Sequence, residues 1–329
     1  MKYELSIIIP ARNEEWLART IQDILEHKEA KTEVIAVLDG AWANPPIPQH
    51  PDVNVIYVPL NEKGDSIGQR KATNLGVRLS RAKYIAKADA HTAYDQGFDR
   101  KLIEGFEKNG DNIVQVPVMK NLHVYDWKCY KCGKKEYQDR INICPVDGEK
   151  MRKKMVWEPR KGINSTSYSF DSEPHFQYFE DYKHREPYLT DKKTGFTEVM
   201  SLQGSFYSMT RDKYIEMMPD REEFGSWGNE GLEIACRFWL SGDRDIVNHN
   251  TWYAHLFRKK GEIFGFPYPQ SGKHVSRTKQ RVKDMFWKNG FKGQRYPVSW
   301  LVEKFWPLPG WSDEALKALK AREKELKVV

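Results

Sequence analysis

The stretch "YIAKADAHTAYD" places a carboxylate and an imidazole, Asp89 and His91, two positions apart behind a mostly apolar run. In extended backbone, positions i and i+2 point to the same side. The pair can therefore aim at one divalent cation. Oxygen and imidazole ligands suit Mn2+, and Mg2+ would accept the carboxylate. The plain alternative is a strand end carrying two solvated polar residues. A second constellation stands in "CYKCGKKEYQDRINICPVDG", where Cys129 and Cys132 are followed by Cys144 and Asp147. C-x2-C followed by C-P-x-D has the spacing of two metal-binding knuckles separated by a short hairpin. Three thiolates bind Zn2+ well, and Asp147 occupies the place of a fourth cysteine. His123 competes for that fourth position. Free thiols in a loop are the alternative. Cys236, inside "LEIACRFWL", reads as a small core residue.

These groups need elements to hold them. "LSIIIPA", "TEVIAVLDG", "VNVIYVPL" and "KYIAKADAH" read as strands, and "RNEEWLARTIQDILEH" and "SIGQRKATNLGVRLSR" as helices. The order β-α-β-β-α-β with buried-type strands predicts an α/β fold: a mostly parallel sheet with helices on both faces. Ligands of such sheets sit beyond the carboxyl ends of the strands. Asp39, Asp89 and the "PARNEE" turn all fall there. "NIVQVPVM" is a further strand, and the text from Trp157 to Ser201 is aromatic-rich and without a clear period. "SLQGSFYSMTRDKYIEMM" reads as strand then helix, "WGNEGLEIACRFWLSGD" as a helix ending at Gly242, and "TWYAHLFR" as a final short strand. "SDEALKALKAREKELK" reads as a solvated terminal helix capped by Ser312.

The chain has 329 residues, 40% of them hydrophobic and 13% aromatic, which suits a globular enzyme and excludes disorder. No apolar run approaches the roughly 20 residues that span a bilayer. The N-terminal apolar run is short and flows into a fold element, unlike a signal peptide. The expectation is a cytoplasmic protein with no membrane partner, and thiolates kept reduced fit that compartment. A net charge of +7 favours an anionic ligand or partner.

The first half resembles the GT-A fold nucleotide-sugar glycosyltransferases, above all glycosyltransferase family 2. "SIIIPARNEE", "AVLDG", "GQRKATNLGV" and "YIAKADAH" carry the likeness. "DAH", "WGNEGLEIACRFWLSG" and "AHLFRKKGEIFGFPYPQSGKHVSRTKQR" are similar to the catalytic domain of polypeptide N-acetylgalactosaminyltransferases. The likeness covers roughly residues 4–118 and 200–285, with the motifs in the same order. Trp227-Gly228-Asn229-Glu230-Gly231 departs from the W-G-G-E-N pattern of that family.

The resemblance implies roles for single residues. His255 in "AHLFR" would join Asp89 and His91 as the third ligand of a Mn2+ or Mg2+ ion on the donor's diphosphate. Asp39 would accept the base N–H of a uridine, and a UDP-sugar is the expected donor. Arg12 and Arg70 would lie near the nucleotide or its phosphates, and Trp227 against donor or acceptor. Arg258 and the loop through Gly272 would close over the donor and exclude water. Glu230 would face the sugar from a helix start; in inverting relatives a carboxylate in this region is the general base. The catalytic expectation is thus Glu230, Asp89 and Arg258. It divides the chain into a nucleotide-sugar-binding half (1–120), an inserted zinc-ribbon-like segment (121–160), an acceptor and catalytic half (161–272) and a basic, aromatic helical extension (273–329).

The basic balance and the mixture of aromatic and basic residues suggest a hydroxymethylated pyrimidine in phage-type DNA as acceptor, in the cytoplasm of a bacterial host. Arg277, Lys279 and Arg281 would then meet phosphates, and aromatic rings would stack on an extruded base. A polysaccharide, lipid-linked glycan or protein hydroxyl is the alternative acceptor. A non-catalytic binding module built on the ribbon is the alternative to an enzyme.

Overall fold

The computed structural model describes residues 2–138, 142–257, 272–288 and 290–328. The first half alternates as the sequence predicts: β1 (Leu5–Ala11), α1 (Leu17–His27), β2 (Thr32–Asp39), β3 (Val53–Val58), α2 (Gln69–Leu79) and β4 (Tyr84–Ala88). These four strands are parallel, in the order β3-β2-β1-β4. Successive residues of β1 feed opposite cores. Leu5, Ile7 and Ile9 pack with α1, whereas Ile8 packs with Ala72 and Val77 of α2. A strand covered on both faces has no polar side, which is why "LSIIIPA" reads as continuous apolar text.

After β4 come β5 (Thr92–Tyr94), α3 (Phe98–Asn109) and the 16-residue β6 (Ile113–Lys128). β7 (Lys135–Tyr137) and β8 (Arg152–Ser165) pair antiparallel with the outer part of β6. β9 (Tyr168–Phe170) and β10 (Phe176–Tyr178) form a separate hairpin, followed by α4 (Glu186–Lys192) and β11 (Phe196–Glu198). β12 (Phe206–Thr210) enters the sheet antiparallel between β4 and β6. Then come α5 (Arg211–Arg221), α6 (Glu230–Ser241) and β13 (Arg244–His255), which runs parallel to β6. The sheet is therefore parallel over its first four strands and mixed beyond them. α1 and α3 cover one face; α2, α5 and α6 cover the other.

α7 (Gly272–Val282), α8 (Val298–Lys304) and α9 (Asp313–Glu325) complete the chain. Ser312 caps α9 through the Ala315 N–H at 3.2 Å. The helix is not wholly solvated, because Leu319 joins a core that also holds Trp239 of α6 and Leu301 of α8.

Two expected boundaries fall inside elements. Residue 120/121 lies within β6 and 160/161 within β8. Their pairing runs from Met119↔Ser165 to Lys128↔Arg152, so the cysteine segment is the outer end of a ribbon continuous with the central sheet. "TWYAHLFR" likewise extends N-terminally into a 12-residue strand. Among the described residues no helix is long and apolar enough to cross a membrane.

Candidate active site and metal centres

β4 ends at Ala88, and the next three residues turn across the carboxyl edge of the sheet. Asp89 N–H donates to Ser205 O at 2.9 Å, and Thr92 Oγ1 to Asp89 O at 2.9 Å. β5 then pairs antiparallel with the end of β13, in the register His255↔Thr92. That register carries His255 to Asp89 across 166 residues of sequence. His255 Nε2 lies 3.2 Å from Asp89 Oδ2, and His91 Nε2 lies 3.9 Å from the same oxygen. One ligand atom from each of the three residues lies within 4.8 Å of the others.

The protonation states suit a cation. Burial opposes charge on Asp89, but the Lys87 ammonium, His255 and His91 outweigh it and hold the carboxyl well below the usual range. Burial pushes His255 down to about 4, against the hydrogen bond to Asp89, so its ring is neutral near pH 7. His255 Nδ1 is buried and makes no hydrogen bond among the described residues. On the far side of His91, Glu14 Oε2 stands 3.4 Å from Nδ1. That contact is electrostatic: His91 Nδ1, like His255 Nδ1, has no hydrogen-bond partner among the described residues. Phe257 meets the His255 ring edge-on at 4.7 Å.

Glu230 opens α6 and is 7% exposed. Gln69 Nε2 donates to its Oε2 at 2.6 Å; Tyr207 OH and Arg221 Nη2 reach Oε1 at 3.0 and 2.7 Å. Lys87 Nζ stands 3.7 Å from Oε2. Behind it the fully buried Glu233 takes Arg221, Arg70 and Arg237. Burial alone would raise the Glu233 pKa, yet these guanidinium groups hold it low.

Arg70 is a correction. Expected near the donor phosphates, it is 1% exposed and turned into the protein. Its guanidinium donates to Glu233 Oε2 at 3.0 Å, Gly225 O at 3.2 Å and Gly228 O at 2.6 Å. It clamps the loop entering α6, because its position on α2 faces that helix. Asp39 is at the strand end as expected, but its two oxygens accept the Ile67 and Gly68 N–H groups at 2.9 and 2.8 Å and fix the turn into α2. Arg12 is partly exposed beside it and donates to Ser66 Oγ at 2.7 Å. Trp227 is 36% exposed, more open than a core tryptophan. Arg258 and most of the expected closing loop lie outside the described residues. Lys279 and Arg281, expected to meet DNA, pair with Glu173 and Glu223.

The departures from the W-G-G-E-N pattern have local causes. Asn229 takes a left-handed backbone (φ 48°), a region that asparagine tolerates better than most side chains. A Cβ on Gly231 would lie 1.9 Å from Leu202 O, so no side chain fits there without moving the 202–204 segment.

In the ribbon, Cys129, Cys132, Cys144 and Asp147 converge, with their ligand atoms all within 4.8 Å. Cys132 and Cys144 Sγ are 3.5 Å apart, and Cys129 Sγ is 3.3 Å from Asp147 Oδ2. Zn–S bonds of about 2.3 Å in a tetrahedron put sulfurs about 3.8 Å apart. His123, the competing ligand, is instead 2.9 Å from Asp126 and against the Tyr137 ring. Cys236 is fully buried in the core.

Sequence reasoning passed over Lys87, Gln69, Tyr207, Arg221 and Glu14. A lysine inside the apolar strand "YIAKA" was the legible signal, since a charge there needs buried partners.

Residues 6–143 match the model described as Glycosyl transferase family 2. The chain is 22% identical over 305 residues to "Probable N-acetylgalactosaminyltransferase 6" of Caenorhabditis elegans, covering 89% of this chain and 44% of that protein. It is 21% identical over 346 residues to a candidate polypeptide N-acetylgalactosaminyltransferase 13 of Drosophila melanogaster, covering 98% of this chain and 54% of that one. The chain thus spans about half the length of the curated relatives it matches. It shares its fold with GalNAc-T7 crystallised with UDP, GalNAc and Mn2+, at a TM-score of 0.59 and 16% identity over 98% of this chain and 55% of that one. Motifs, fold and matches agree: this is a GT-A fold chain with a glycosyl transferase family 2 match over residues 6–143, resembling the catalytic domain of polypeptide N-acetylgalactosaminyltransferases.

Proposed function

We propose that the chain is a metal-dependent glycosyltransferase that moves a sugar from a UDP-sugar to a protein hydroxyl. The observation that carries this reading is the convergence of Asp89, His91 and His255 at the carboxyl edge of the sheet, facing the α6 start. One carboxylate oxygen and two imidazole nitrogens are a donor set that fits Mn2+. A cation held there would act as a Lewis acid on the diphosphate leaving group. Asp89 Oδ2 and the two Nε2 atoms would hold it, with the Glu14 carboxylate behind the His91 ring. Arg12, Asp39 and Trp227 are the nucleotide- and sugar-side contacts in this reading. Glu230 has both oxygens engaged by donors from Gln69, Tyr207 and Arg221, so neither is turned free toward an acceptor hydroxyl. It therefore positions Gln69 and Lys87 rather than taking the acceptor proton.

The protein acceptor is supported by what the relatives are named for, and by the pairing of Lys279 and Arg281 within the chain. Hydroxymethylated DNA, supported by the net charge of +7, is the second reading. The two are separated by incubating the protein with labelled UDP-sugars and Mn2+ against serine- and threonine-containing peptides, hydroxymethylated DNA and glycans. Label on peptide is expected; label on DNA alone favours the second reading.

The cysteine cluster reads as a structural zinc site. Three sulfurs and one carboxylate oxygen at these separations suit tetrahedral Zn2+. Cys129 and Cys144 are buried in a cluster with Trp16, Tyr125, Trp157 and Leu256, so a metal there would brace the ribbon against the edge carrying His255. Elemental analysis of unchelated protein should find one zinc per chain at this site.

A further inference from the structure

We propose that Lys87 keeps the affinity of the Asp89–His91–His255 site for a bare divalent cation low, so that the cation enters with a nucleoside diphosphate. The inference rests on the metal reading above. Lys87 lies on β4 with its side chain fully buried. Its ammonium donates to Asp89 Oδ1 and, at 2.6 Å, to Gly204 O, and stands 3.7 Å from Glu230 Oε2. Two of its N–H groups are thus hydrogen-bonded, and the Glu230 carboxylate adds opposite charge at longer range. A central-strand ammonium is costly to bury without acceptors, and its acceptors here are the ligand Asp89 and the carbonyl of Gly204.

Two consequences follow for the ligands. Lys87 occupies Oδ1 of Asp89 and leaves Oδ2, the oxygen facing both imidazoles, to a cation. It also cancels charge. Lys87 and Arg221 match the charges of Asp89 and Glu230 beside the ligands. A divalent ion arriving alone would meet a nearly neutral pocket and a fixed ammonium one carboxylate away. Coulomb repulsion at that separation is enough to weaken binding roughly tenfold or more. A nucleoside diphosphate reverses the balance, and by linkage the cation must tighten the diphosphate by the same factor.

Mn2+ titration followed by electron paramagnetic resonance, with and without UDP, tests this on the whole chain. Wild-type protein should bind Mn2+ weakly alone and at least about tenfold more tightly with UDP. Lys87→Met should bind bare Mn2+ about tenfold more tightly than wild type. Lys87→Gln, which keeps a donor for Asp89, should shift in the same direction. Unchanged or weaker bare binding in both folded variants overturns the proposal. So does a wild-type protein that binds Mn2+ equally well without UDP, an outcome that needs no variant to fold. Absence of Mn2+ binding under either condition overturns the metal reading itself.

Discussion

The two candidate cation sites are built in opposite ways. Cys129, Cys132, Cys144 and Asp147 come from one ribbon end, with the outermost pair 18 positions apart. Asp89 and His255 are 166 positions apart and meet only because β5 and β13 pair in one register. The first set is soft: it offers three sulfurs and one carboxylate oxygen, the number that a tetrahedral ion would take. The second offers one carboxylate and two imidazoles, leaving room in the coordination sphere of Mn2+ for a ligand. A closed local site suits structure, and an open site assembled by the sheet suits chemistry. The difference also sets vulnerability: a local site can survive changes elsewhere in the fold, whereas the assembled site depends on every strand that positions it.

The largest expected effect breaks one site and spares the other. Asp89→Ala or His255→Ala should lower transfer by about three orders of magnitude or more, the scale of a lost Lewis acid. EDTA should do the same and added Mn2+ should restore wild-type activity, while zinc measured on the two variants stays at wild-type level. Substantial transfer by either variant would remove the assembled site from the chemistry. The converse experiment is Cys129→Ser or Cys144→Ser. Zinc content should fall and stability should drop by several kcal/mol in denaturant titration, since structural zinc contributes folding free energy directly. Equal zinc content before and after substitution would move the metal elsewhere.

A smaller effect sharpens the dependence of the assembled site on packing. Gly231→Ala forces a Cβ against Leu202 O, next to the carbonyl of Gly204 that holds Lys87. Overpacking of this kind costs about 1–3 kcal/mol. Thermal unfolding should show that loss, accompanied by reduced transfer; unchanged melting would mean the 202–204 segment yields freely. The smallest effect concerns acid. His249, on the same strand as His255, is pushed down to about 4, chiefly by burial and then by Lys192. The folded state favours the neutral ring, so between the ordinary 6.5 and about 4 the unfolded chain binds more protons. Its stabilisation is fully present above pH 6.5 and is lost as pH falls toward 4, on the order of 3 kcal/mol. His249→Asn should flatten that part of the stability-against-pH curve. A variant curve parallel to wild type would place the acid sensitivity in other groups.

What could be read in the sequence was local or periodic. Apolar strands, amphipathic helices, the Ser312 cap, the cysteine knuckles and the D-x-H pair each lie within a few turns or one strand, so residue spacing carries their geometry. His255 was reached only through resemblance to a family, because spacing along the chain says nothing about a sheet register. Arg70 shows the same limit. Its position on an amphipathic helix was legible, but which helix that face would meet was not, and α6 turns it from a presumed phosphate ligand into a buried clamp. Glu230 was found as a helix-start carboxylate, yet its donors come from α2, β4, β12 and α5. A side chain's type is set by the sequence, but its charge state and its free lone pairs depend on neighbours brought together from across the chain, and only the tertiary structure chooses those neighbours.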